Sequence, residues 1–597
     1  MSKKTFLLII QILGDLFKKD KGFIAANSIK IVVSAASMLI MLIYPRLIID
    51  SLMGVGSYSA YFWIIMMVAS HFVVRLSLGL LERYIKIKNL QIIIHYSTSL
   101  YIKSMKMELS LMEKATIAEK RTLAASGLGN ISNCVSNIFS LIQNIVSIIV
   151  LIFVILSLNI PLIALIMAGA ILYLLFQHKI FKEDMNIHKQ FGKLFTKWGY
   201  ITDTAKNSEN AKEIKFYNLV DWMSKKIHYF AGENRKILLD STKLGLKKDI
   251  WKNIIGGVQN LLIYAYICVL ALARRITIGE FVQYISAVSV FSDSFFGIVD
   301  NFMEISKNGT TINDYFEYIA LEDMDDKSDQ EFLSLDLPSD KGLKISIQDL
   351  WFKYPDTEDY ILKGVNLDIE PNMALSLVGK NGAGKTTLIK LLLRFYKPEK
   401  GCIKINGVDI NKLSITEYYK HLSVIFQDFK VFAFSILDNI LMSQMENAGE
   451  NRERALDSLK MSGFINDIEK MPDKENTFIS KVFYDNGTEL SGGMQQKLVL
   501  ARAYFNQSNF IILDEPTAML DPIQEYEIYK QFNDIIKNRT AIYISHRMSS
   551  SMFCDKIAVL DDGVIIEYGD HSELMEKKGL YFSLFDAQAD NYRVKEG

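Results

Sequence analysis

The sequence has little that could cross-link it or hold a metal. Its 597 residues include four cysteines, Cys134, Cys268, Cys402 and Cys554, far apart along the chain. That spacing excludes a disulfide scaffold and reads as reduced thiols. The eight histidines make no zinc spacing with them. Charge is scarce and balanced, with 22% charged residues and a formal net charge of zero. General nucleic-acid binders carry a basic excess, so none is expected here. What is abundant is apolar: 50% of residues are hydrophobic, and the excess lies in the first 320. A chain this long predicts at least two domains.

Six apolar segments reach membrane length, which is about 20 residues for a helix. They run over Ser28–Ile49, Ala60–Leu81, Ile138–Leu158, Pro161–Ile180, Ile254–Ala273 and Phe281–Ile305. The connections alternate between short and long, the long ones being 82–137 and 181–253. Lysine and arginine crowd the long ones, with Arg83, Lys86, Lys103, Lys120 and Lys182 among them. The positive-inside rule therefore predicts that the long stretches and both chain ends are cytosolic, with Arg274 and Arg275 as the outward exception. Helical spacing with few breakers predicts that the long stretches extend the membrane helices. Their tips, 111–118 and 207–214, are candidate contacts for a cytosolic motor. Ahead of the first span, Thr5–Leu13 lacks a cleavage site after it and reads as an interfacial helix.

Segment six carries Asp293, Asp300 and Glu304, offsets that place all three on one helix face. Asp293 lies roughly 18 Å in from the outer end by helix rise. An acid at that depth faces a water-filled path or a partner. Asp293 and Asp300 are thus candidates for the substrate path, with an ion pair to Arg75 as the alternative.

Beyond an acidic, polar linker at 321–342, alternating strand and helix patterns run from Leu343 onward. They predict a mainly parallel sheet. Within it, Gly379-Lys-Asn-Gly-Ala-Gly-Lys-Thr386 follows an apolar strand and opens an apolar helix. This is a phosphate-binding loop in its required context. Gly379, Asn381, Gly382, Ala383, Gly384 and Thr387 belong to the backbone cradle, whose N–H groups face the phosphates. Lys385 reaches the β- and γ-phosphates, and Thr386 suits Mg²⁺. Phe510–Glu515 reads as a buried strand delivering two acids to the carboxyl edge of the sheet. Asp514 is the candidate for Mg²⁺ and Glu515 for polarising the attacking water. Ser491, Gly492 and Gly493 open a helix suited to a γ-phosphate. His546 ends another strand, where a histidine can sense that phosphate.

Together these pieces resemble the ATP-binding cassette transporters, specifically half-size exporters, over almost the whole chain. The resemblance implies a membrane domain of six transmembrane helices with long cytosolic extensions (1–320). After the linker it implies an α/β P-loop NTPase domain with a helical subdomain (343–597). It implies that Tyr354 stacks on adenine, that Gln427 senses Mg²⁺ and the membrane domain, and that Asp521 links two cassettes. Ser491–Gly493 match the signature sequence, although Met494 stands where glutamine is usual. Tyr484 and Asp485 stand where many exporters have Gly-Glu.

Members of this family work as dimers, each ATP lying between the loop of one cassette and the signature of the other. Glu515 and His546 are both present, which favours a homodimer over pairing with a related half-transporter. They also favour an ATPase-driven exporter over a nucleotide-gated channel or regulatory subunit. Stretches 103–108 and 211–218 look like bacterial exporters of modified peptides, so peptide cargo ranks ahead of amphipathic drugs and lipids. The acidic stripe adds a mild preference for cationic cargo. The membrane half starts near residue 20, so this chain is not expected to cleave a leader peptide itself. The expected address is a bacterial cytoplasmic membrane, with lipid and cargo as further partners.

Overall fold

The structure is a computed structural model that describes residues 3–54, 58–155, 160–321, 323, 342–355, 357–442, 448–515, 536, 538–545 and 548–590. They form two compact units. One is Met1–Met107 with Met112–Glu322, and the other is Asp323–Gly597 with Glu108–Leu111. The expected linker lies outside the described residues except for Leu321, Asp323 and Gly342.

The first unit is helical. Its helices are α1 (Lys3–Lys19), α2 (Lys21–Leu52), α3 (Ala60–Lys106), α5 (Ala115–Ile155), α6 (Ile160–Lys206), α7 (Ala211–Phe216), α8 (Val220–Leu272) and α9 (Ile278–Ile319), while the short α4 (Leu109–Met112) belongs to the second unit up to Leu111. Their starts follow from capping chemistry. The Asp20 side chain accepts from Phe23 N–H at 3.0 Å to open α2. Thr277 and Glu280 form a reciprocal capping box that opens α9. The lengths of α3, α6 and α8 (47, 47 and 53 residues) far exceed one bilayer crossing. The long stretches therefore do extend the helices.

The apolar face of α3 shows which solvent this unit is built for. Its most apolar window has a mean hydropathy of 2.0 and none of it is buried. Ile65, Val68, Phe72, Val73 and Leu76 all point outward. In water such a surface would be covered; hydrocarbon is the solvent that leaves it stable. Five helices among the described residues are long and apolar enough to cross a membrane, namely α2, α3, the Ala115–Phe153 part of α5, α8 and α9. The fourth expected segment, Pro161–Ile180, begins in a part of α6 whose side chains lie outside the described residues, so a count of six is not reached.

Leu42, Leu151, Ile263, Ile267, Ala287 and Phe291 pack α2, α5, α8 and α9 together. Small residues let helices touch. A Cβ added at Gly127 of α5 would lie 2.7 Å from the Thr311 carbonyl oxygen of α9.

The second unit departs from a single parallel sheet. Strands β1 (Ile345–Phe352), β2 (Leu362–Ile369), β4 (Lys400–Ile405) and β5 (Val408–Asp409) form an antiparallel sheet of their own, in the order β2-β1-β4-β5. The remaining strands are β3 (Ala374–Val378), β6 (Leu422–Ile425), β7 (Phe510–Asp514), β8 (Thr540–Ile544), β9 (Lys556–Asp561) and β10 (Val564–Gly569). They pair in the order β10-β9-β3-β8-β7-β6, parallel except at β10. β3, β7 and β8 are buried at every position, as strands covered on both faces must be. Parallel alignment sends the ends of β3, β6, β7 and β8 to one edge, where the chemistry collects.

The helices of this unit include α10 (Lys385–Leu392), α11 (Ile415–Lys420), α12 (Ile436–Leu441), α13 (Ala448–Met461), α14 (Ile465–Ile468) and α15 (Gly492–Asn506). Ile436, Leu459, Phe464, Ile468 and Leu498 make a separate core for α12–α15, a helical subdomain. Arg502 ties it to the sheet side. Its guanidinium donates to the Asn439 carbonyl at 2.7 Å and to the Lys430 carbonyl at 2.9 Å, three residues beyond Gln427.

Candidate functional site

The phosphate loop leaves β3 at Val378 and enters α10 at Lys385. Gly382 (φ 81°) and Gly384 (φ 105°) adopt the left-handed backbone that favours glycine. At Gly379 space is also short, since a Cβ there would come within 2.1 Å of the Leu560 carbonyl oxygen. The Lys385 ammonium is folded into the loop, donating to the carbonyls of Gly379 (2.7 Å) and Lys380 (3.0 Å). Burial lowers its pKa, with the charges of Glu515 and Asp514 pulling the other way.

A pocket of about 280 Å³ is lined by Tyr354, Ile361, Asn381, Gly382, Ala383, Gly384, Lys385, Thr386, Thr387, Glu515 and Ile544. The ring of Tyr354, from the loop after β1, thus stands at the mouth of the phosphate loop. Its hydroxyl pairs with Thr387 Oγ1 at 3.2 Å, and the Lys390 ammonium sits 5.4 Å from its ring centroid. Thr386 is exposed to this pocket, while Thr387 is buried.

Asp514 ends β7 and is 6% exposed. Burial, followed by the carboxylates of Glu515 and Asp428, pushes it up to about 6, against the pull of Lys385. Asp428 was not foreseen from the sequence, although its place directly after Gln427 at the end of β6 was the available signal. Glu515 takes a left-handed backbone (φ 47°), an uncommon state for a non-glycine residue. Two contacts hold it there. Its N–H donates to the Ile544 carbonyl at 3.0 Å, and Gln427 Nε2 donates to Oε2 at 2.7 Å.

The signature residues lie at a helix start. Ser491 caps α15, its hydroxyl accepting from Met494 N–H at 3.4 Å. Only the backbone of Met494 is used, and its side chain packs on the core of the helical subdomain. The missing glutamine therefore costs the cap nothing. Tyr484 stacks on Phe478 at 3.8 Å between centroids. Ser491, Gly492 and Gly493 are not part of the pocket around the phosphate loop of the same chain. His546 and Asp521 lie outside the described residues.

In the membrane-type unit, Asp293 is exposed on α9, and Arg75 pairs with His71 at 3.4 Å. Asp300 has a different setting. Lys248 (3.0 Å) and Lys252 (2.9 Å) from α8 both pair with it, and Tyr173 (2.6 Å) and Gln177 (3.1 Å) from α6 donate to it. Its charge is answered twice over, so the stripe does not present two free acids. Asp300→Ala is expected to destabilise the folded protein by about 3–5 kcal/mol, because it strands two half-buried lysines. Asp293→Asn is expected to be near neutral. Thermal unfolding of the two variants in detergent checks the contrast.

These parts define an ATP-binding ATPase domain in a chain with a helical membrane-type unit. The match to known proteins agrees, since residues 362–518 fit the ABC transporter family model. The subtilin transport ATP-binding protein SpaT of Bacillus subtilis is 29% identical over 445 residues, covering 73% of this chain and 70% of the relative. The nisin transport ATP-binding protein NisT of Lactococcus lactis subsp. lactis is 28% identical over 393 residues, 65% of this chain and 64% of the relative. An ATP-dependent lipid A-core flippase of Francisella tularensis subsp. holarctica is 29% identical over 421 residues, 67% and 65% respectively. The chain thus spans about two thirds of the length of these relatives. Its fold is that of a bacterial Atm1-family ABC exporter solved with ATP bound, with a TM-score of 0.82 at 20% identity over 97% of this chain and 99% of that one. Residues 362–518 are thus an ABC transporter domain, and the relatives of the chain are ABC exporters, which implies an ATPase coupled to transport.

Proposed function

We propose that this chain exports a peptide across a bacterial cytoplasmic membrane, working as a homodimer with two composite ATP sites. The observation that carries the reading is the Gln427–Glu515 hydrogen bond of 2.7 Å at the mouth of the phosphate loop. It aims a carboxylate base at the place where a γ-phosphate lies against Lys385. Peptide cargo is favoured by the likeness to SpaT and NisT, whose names state subtilin and nisin transport. The likeness to a lipid A-core flippase keeps lipid as the second reading.

The carboxylates of Glu515 and Asp428 both act on Asp514, with Lys385 as the opposing charge, and Asp514 offers the oxygen ligand that a hard divalent cation takes. Thr386, Gln427 and Asp514 are the groups that would hold Mg²⁺. When bound, Mg²⁺ supplies charge that offsets the phosphates. Lys385 and the loop N–H groups orient the phosphates, Tyr354 holds the base, and Glu515 takes a proton from water. His546 is assigned the γ-phosphate sensor and Asp521 the link between cassettes. Ser491–Gly493 of a second copy complete each site. Closure is then favoured by ATP because only the closed dimer makes both sets of contacts. That closure drives the membrane helices from inward to outward access.

Complementation tests the composite sites. Lys385→Ala and Ser491→Ala each leave every site of their own homodimer defective. A mixed dimer pools both defects in one site and leaves the other intact. Turnover that reappears in the mixed dimer supports the proposal, and turnover absent there, with both chains folded and paired, contradicts it.

A further inference from the structure

Helix α5 carries asparagines at 130, 133, 137 and 144, which share roughly 60° of arc at 100° per residue. They face α9. Asn130 Nδ2 donates to Thr311 Oγ1 at 2.9 Å. Higher up, a Cβ on Gly297 would lie 2.5 Å from Asn144 Nδ2, so glycine there leaves room for that amide. Between these points a cleft of about 490 Å³ opens, within the range of ligand sites, which is about 300–1,000 Å³. Every residue lining it is polar, from Asn130, Asn133, Ser136 and Asn137 on α5 to Glu304, Lys307, Asn308, Thr310 and Thr311 on α9.

Apart from Glu304, the lining residues fall just beyond the expected spans (138–158 and 281–305), on the helix extensions read as cytosolic, where cargo arrives. We infer that this cleft binds the backbone of a polypeptide cargo, with Asn133 and Asn137 as its recognition groups. An amide side chain offers two N–H donors and a carbonyl acceptor, the complement of a peptide unit whatever its side chain. The lining has one base, Lys307, which is paired with Asp184 at 2.9 Å, and one acid, Glu304, so charge adds only a mild preference for cationic segments. Acyl chains and planar dyes want apolar or aromatic walls, and this cleft presents neither. The inference rests on the peptide-export reading and deepens it, because recognition by backbone admits many sequences.

The test uses the full chain in lipid nanodiscs and a fluorescein-labelled Ala-Ser decapeptide read by anisotropy. A second peptide is N-methylated at alternate residues, which removes donors without changing the side chains. The unmodified peptide is expected to bind about tenfold more tightly, since each hydrogen bond is worth only a fewfold. Asn133→Leu with Asn137→Leu is expected to erase that difference, and Asn133→Gln with Asn137→Gln to retain it. Equal binding of the two peptides by the parent overturns the inference without reference to any variant. So does a leucine pair that binds like the parent. ATP-driven peptide uptake in vesicles separates the two levels. Uptake without backbone-dependent binding sinks this inference alone, whereas absence of both sinks the peptide reading with it.

Discussion

Glu515→Gln is expected to lower ATP turnover by about 10²- to 10⁴-fold, the span typical of losing a general base. ATP binding is expected to persist, because Lys385, the loop N–H groups and Tyr354 are untouched. The reason for so local an effect lies in how Glu515 is held. Its backbone sits at φ 47°, anchored to the Ile544 carbonyl, and its carboxylate is steered by Gln427. A glutamine in the same place keeps size and hydrogen bonding and loses only basicity. Turnover and nucleotide affinity measured on the same preparation separate the two. Parallel loss of binding would mean that Glu515 shapes the pocket instead of acting as a base.

Asp514→Asn is expected to set stability against activity. Burial and two neighbouring carboxylates raise Asp514 from 3.8 to about 6 in the folded chain. Between those values the folded state keeps a proton that the unfolded chain has lost. The cost of the buried charge is therefore absent below pH 3.8, grows as pH rises through the window and is complete above about 6. At pH 8 a neutral asparagine removes it, a gain of roughly 1–3 kcal/mol for the nucleotide-free protein. Below pH 3.8 that gain disappears. Activity moves the other way, falling roughly 10- to 100-fold if Asp514 orients the metal's shell. Unfolding curves at pH 8 and at acid pH, beside turnover, check both halves.

The site was more legible in the sequence than the membrane half, and the physical reason is locality. The phosphate loop, Asp514–Glu515 and Gln427 each sit at the end of an apolar strand. Parallel pairing of β3, β8, β7 and β6 then brings those ends together without further information. Tyr354 was placed by resemblance, and its contact with Thr387 depends on the fold. Pairing between distant strands was not legible. β1 joins β4 across some fifty residues, which is why one mainly parallel sheet was expected and two sheets are found. The same holds for Asp300. Its offset from Asp293 put both on one face, but the lysines that answer it come from α8 and nothing in the spacing of α9 announces them. The asparagine row on α5 was present in the sequence all along. It gained meaning only when its face proved to be turned on α9.

The most direct test of the central claim is ATP-dependent uptake of a labelled peptide into inside-out vesicles containing this chain alone, beside vesicles containing Glu515→Gln. The account predicts accumulation against the gradient in the parent, dependent on Mg²⁺ and ATP and absent in the variant. ATP hydrolysis by the parent with no peptide accumulation, while a labelled lipid crosses the same membrane, would contradict it.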